Sequence, residues 1–80
     1  MPYIGRKRRE ALSVEPPQTV GELTYEITVL VEDYRATRGT SFQTYAEIIG
    51  ALEAAKLELY RRRVAVYEDA KLLENGEVYR

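Results

Sequence analysis

TYAEIIGALEAAKLELYRRRVAVYEDAKLLENG, residues 44–76, sets the architecture of this chain. Ala, Leu, Glu, Lys and Arg dominate it, and these residues lose least on entering a helix. Thr44-x-x-Glu47 has the form of a capping box, with Ser41 able to cap one turn earlier. Asn75-Gly76 supplies the stop. The predicted helix therefore runs from Tyr45 to about Leu73. It carries one apolar stripe through Tyr45, Ile48, Leu52, Ala55, Leu59 and Val66, and a second beside it through Ile49, Leu57, Tyr60, Val64 and Tyr67. One antiparallel partner helix covers only one stripe. Gly50 lies inside the helix at a cost of roughly 1 kcal/mol relative to Ala, so a close helix crossing is expected there.

Working outward toward the N-terminus, a first helix is predicted from Val20 to Arg38. Thr19-x-x-Glu22 forms its capping box. Val20, Leu23, Ile27, Leu30, Val31 and Tyr34 repeat at helical spacing, and Gly39 ends it. At 1.5 Å per residue the long helix rises roughly 43 Å against roughly 28 Å for the first. Its C-terminal third overhangs, leaving Leu59, Tyr60, Val64, Val66 and Tyr67 as an expected interface. The expectation is an all-α helical hairpin with one long second helix, oligomeric in solution. A leader of residues 1–18 precedes the hairpin and tail of residues 19–80. Pro2-Tyr3-Ile4-Gly5 reads as extended chain, Arg6 to Leu12 as a short helix, and Pro16-Pro17 as its stop. A monomeric three-helix fold, with the leader as third element, is the alternative.

Eighty residues make one small domain, near the lower limit for a self-sufficient core. Cysteine and histidine are both absent. That removes disulfides, thiolate nucleophiles, structural zinc and His-based triads together. No apolar run approaches the roughly 20 residues that a bilayer requires, and no signal peptide is read, so a cytoplasmic location without membrane contact is expected.

Lys plus Arg number 12 against 13 Asp plus Glu. The near balance hides two basic clusters, Arg6-Lys7-Arg8-Arg9 and Arg61-Arg62-Arg63. Three consecutive helical arginines fan over about 200°, so at most two face one ligand. The third is expected to pair with Glu58 or Glu68. Tyr60 and Tyr67 flank the second cluster. Guanidinium forks for phosphate beside flat rings for base stacking are what nucleotide recognition requires. Arg61, Arg62, Tyr60 and Tyr67, with Arg8 and Arg9, are thus the candidate ligand-binding residues. A salt-bridged surface accounts for the same arginines, and half-buried helix contacts account for most tyrosines.

Enzyme chemistry has little support. Glu32-Asp33 and Glu68-Asp69 are adjacent pairs that point about 100° apart on a helix. Glu22 and Glu26 stand one turn apart without further converging ligands. No glycine-rich phosphate loop is present. No catalytic residue, metal site or cofactor is expected.

The chain resembles a family of very short, functionally uncharacterised bacteriophage and prophage proteins. The likeness lies in Met1-Pro2-Tyr3-Ile4, the Gly21 to Thr28 segment, Ile49 to Arg62 with its Lys56-Leu57-Glu58-Leu59-Tyr60-Arg61-Arg62 core, Tyr67 to Lys71, and Glu74-Asn75-Gly76-Glu77-Val78-Tyr79. The family often carries Asn at the position of Thr24 and Pro at that of Val66. A proline there implies a disturbed helix past Ala65, after which residues 67–79 could fold back over the overhang.

Two functions are expected from these residues. One is a non-enzymatic oligomer that sequesters an anionic small ligand, such as a nucleotide or cyclic nucleotide signal, in counter-defence. The other is a protein–protein interaction factor that inhibits or adapts a host enzyme. Nucleic-acid binding through Arg6 to Arg9 is the weaker third reading.

Overall fold

The structure, a computed structural model, describes residues 4–79. Of the leader's predicted extended stretch, Pro2 and Tyr3 lie outside the described residues. Helix α1 spans Arg6–Ala11, α2 Val20–Arg38, α3 Phe42–Leu59 and α4 Ala65–Asn75, with a π-helical turn over Tyr60–Val64 joining the last two. Among the described residues there is no strand. The all-α reading holds for the described residues, in which α3, the π-helical turn and α4 follow one another as a long last helix after α1 and α2. The chain divides into two compact units, residues 1–45 and 46–80.

In the first unit, α2 has the predicted bounds because both ends are chemically marked. The Glu22 N–H donates to Thr19 Oγ1 at 3.1 Å, and the Thr19 backbone is extended as a cap requires. At the other end Gly39 adopts φ 94°, a left-handed value that glycine takes without strain, and its N–H closes on the Arg35 carbonyl at 2.8 Å. Three threonines within α2 keep their hydroxyls satisfied by donating one turn back, Thr24 to Val20, Thr28 to Thr24 and Thr37 to Asp33.

The leader folds back onto α2. Gly5 is extended and α1 follows it for under two turns. The chain then turns through backbone bonds from Ser13 to Glu10 and from Val14 and Glu15 to Ala11. Leu12, at the end of α1, is buried, as are Glu22 and Thr44.

The long helix begins earlier than predicted. The Thr44 N–H donates to Ser41 Oγ at 3.1 Å, so Ser41 is the cap and the first turn starts at Phe42. Thr44 instead turns its side chain inward at 3% exposure. The helix also runs two residues past Leu73, to Asn75. Gly76 ends it at φ 84°, with its N–H on the Leu72 carbonyl at 2.8 Å.

Two expectations for the second unit are corrected. At Gly50 an added Cβ would meet no atom of the described residues within 4 Å, so the expected close approach is not seen among them. Nor does the helix break at Val66. The disturbance is a single wide turn just before it, where the Ala65 N–H reaches the Tyr60 carbonyl five residues back. Helix then continues through residues 67–75, so that part of the tail does not turn back. Within residues 51–79 only Val64 and Ala65 are half-buried, and every other residue is exposed.

Candidate functional site

Arg8 is the structural centre of the first unit. Its Nε and Nη2 donate to the two Glu22 carboxylate oxygens at 2.8 Å each, a bidentate fork. Its third nitrogen, Nη1, donates to Glu15. Glu22 also accepts the Gln18 N–H at 2.9 Å. The capping box is therefore rewired: Glu22 reaches back to residue 18 instead of residue 19 and clamps the leader as well. The Arg8 hydrogen bonds hold the Glu22 carboxyl below the usual carboxylate range, with the Gln18 N–H adding to this against a burial penalty. The same contacts, Glu22 first and then Glu15, raise the Arg8 guanidinium further. Arg8, expected among the ligand-binding residues, is thus committed to holding α1 on α2.

Beside this clamp runs a groove of about 530 Å³. Leu12 and Ser13 wall it on the leader side, and Leu23, Ile27 and Leu30 form its α2 side. Arg9, Glu26 and Asp33 stand along it, and none of the three makes an ion pair among the described residues. Arg9 also lines a smaller hollow with Arg6, Glu10 and Tyr25, which places it near the Tyr25 level of α2. Arg9 was among the residues expected from sequence, but the groove was not, because Leu12 and Leu23 meet only when the leader folds back.

In the second unit, Arg61 and Arg62 both turn to Glu58, at 3.4 and 2.8 Å. Arg63 makes no ion pair among the described residues. The expected division is inverted, since the two arginines assigned to a ligand are the paired ones. These are exposed i,i+3 and i,i+4 pairs, worth a few tenths of a kcal/mol each and easily exchanged for another anion. Tyr60 and Tyr67, seven residues apart, would share a face on an uninterrupted α-helix. The wide turn adds a residue between them and rotates the downstream helix by roughly 100°. Tyr67 instead stands one turn after Arg63, with the Lys71 ammonium 5.7 Å from its ring centre.

Of the expected interface residues, Leu59, Tyr60, Val66 and Tyr67 are each more than half exposed, whereas Val64 is half-buried. The wide turn was not legible from helix propensity. Among the described residues no three acidic side chains converge as a metal site would need. No helix there is long and apolar enough to cross a membrane.

The family model described as Domain of unknown function (DUF6899) matches residues 1–78. Comparison with curated proteins and with solved structures yields no significant match.

Proposed function

Since the chain belongs to the DUF6899 family, which carries no assigned activity to inherit, we propose from its own residues that it is a non-enzymatic binding protein. It is of phage accessory type, works in the host cytoplasm as an assembly of its own copies, and docks a host protein through the distal part of its long helix. One observation carries this reading. Leu57, Leu59, Tyr60, Val66, Tyr67 and Leu73 are all more than half exposed, on both sides of the wide turn. Exposed apolar and aromatic side chains at that density mark a recognition surface, in which tyrosines and arginines supply anchors.

Affinity capture of the whole chain from host lysate, followed by mass spectrometry, tests this. A defined protein retained by the wild type and lost with both Leu59→Asp and Tyr67→Ala supports it. No protein retained above background, or retention indifferent to both substitutions, overturns it.

The anionic-ligand reading keeps one observation in its favour. Arg63 is unpaired among the described residues, one turn before Tyr67 and its companion Lys71. Titration calorimetry with a panel of linear and cyclic nucleotides tests it. Heat that disappears in Arg63→Ala would support counter-defence by sequestration, and no heat at millimolar ligand would remove it.

A further inference from the structure

Val20, Leu23, Ile27 and Leu30 succeed one another at steps of three, four and three residues. That is the a/d spacing of a two-helix seam, with Ile at an a position and Leu at d. Side chains placed so are normally covered. Here Val20 is 81% and Leu30 71% exposed, with Leu23 and Ile27 nearly half exposed.

We propose that this seam and the groove beside it are the contact of a symmetric dimer, occupied by α2 of a second copy running antiparallel. The charges along the groove identify the occupant and its direction. Arg9 lies at the Tyr25 end and Asp33 at the other, about 12 Å along the helix by its rise per residue. Neither makes an ion pair among the described residues. A two-fold axis that sets Ile27 of one copy opposite Leu30 of the other brings Asp33 level with residue 24 of the second copy. That is one residue from the Tyr25 level where the second copy's Arg9 stands. The symmetry forms this pair twice, as an isologous contact does.

A parallel arrangement would instead align Arg9 with Arg9 and Asp33 with Asp33, and would set the two helix dipoles side by side in the same sense. In the antiparallel dimer Arg9 also stands between its own Glu26 and the second copy's Asp33, which relieves the repulsion of those two carboxylates. Leu12, buried and lining the groove together with α2 residues, then closes the groove over the second copy's helix. The leader in this way helps to build the contact.

This dimer rests on the self-association in the proposed function and deepens it by naming its surface and its copy number. Sedimentation equilibrium on the whole chain tests it, with circular dichroism as the control for folding. The wild type is expected at the mass of two chains and Leu30→Asp at the mass of one, with unchanged helicity because Leu30 is exposed. Arg9→Asp and Asp33→Arg are each expected to weaken the dimer roughly tenfold or more, and the double exchange to recover most of that loss. A single-chain mass for the wild type at high micromolar concentration overturns both the self-association and this seam. An oligomer indifferent to Leu30→Asp, or a double exchange no tighter than the single ones, overturns the seam alone.

Discussion

The two arginine clusters of this protein have similar composition and opposite fates. In Arg6–Arg9, Arg8 reaches a carboxylate 14 residues away and binds it through two nitrogens at 2.8 Å each. In Arg61–Arg63, two guanidinium groups settle on Glu58, three and four residues back on their own helix. The first arrangement fixes one segment of chain against another. The second leaves both arginine side chains largely exposed and positions nothing beyond its own turn. Residue type does not separate the clusters. What separates them is whether the chain can return: α1 is short and ends in a turn, whereas the second cluster sits inside a helix that continues to Asn75.

The contrast breaks most readily at its apolar anchor. Leu12→Ala removes a buried side chain from the docked leader and is expected to cost about 3 kcal/mol. Leu73→Ala, at 91% exposure, should change stability by less than about 0.5 kcal/mol. Urea unfolding monitored by circular dichroism compares the two directly, and equal losses would mean that the first unit is no better packed than the second.

Acid should loosen the leader's hold on α2. The Glu22 carboxyl is held below its ordinary value of 4.5, first by Arg8 and then by the Gln18 N–H. Its contribution is therefore complete above about that pH and is lost as pH falls through the lowered value. The amide protection of α1, taken relative to the intrinsic exchange rate at each pH, is expected to fall below pH 4.5, and Glu22→Gln should remove the transition.

Smaller effects sharpen the comparison. Thr19→Ala should cost about 1 kcal/mol by uncapping α2, read as a shift of the urea midpoint. Gly50→Ala should stabilise the long helix by up to about 1 kcal/mol, because an added methyl meets open space there; a loss instead would reveal a contact with another chain. Arg62→Ala should shift the midpoint by only a few tenths of a kcal/mol. A larger loss would mean that the Glu58 pairs anchor more than their own turn.

Local chemistry was legible in the sequence, and returns of the chain were not. Thr19, Gly39 and Gly76 mark their helix ends by contacts that reach no farther than four residues, so spacing alone locates them. Ser41 against Thr44 was a choice between two adjacent local caps, decided by the burial of Thr44. The Arg8–Glu22 fork has no signature in spacing, since a 14-residue separation matches no helical or strand period. Glu22 reads as half of an ordinary capping box until the leader is seen beside it. The candidate site suffered in the same way. Tyr60 and Tyr67 share a face only on a regular helix, and one added residue in the turn between them separates them.

Glu22 also sets an order of events. Its N–H is held by Thr19, and its carboxylate takes the Gln18 N–H, four residues away, so these contacts close with little loop entropy. The fork from Arg8 must close a longer loop, and six residues of α1 are too few to persist as an isolated helix. Helix α2 is thus expected to form first and to template α1. The leader becomes a conditional helix whose existence reports that its neighbour is already folded, and amide protection during refolding should reach α1 after α2.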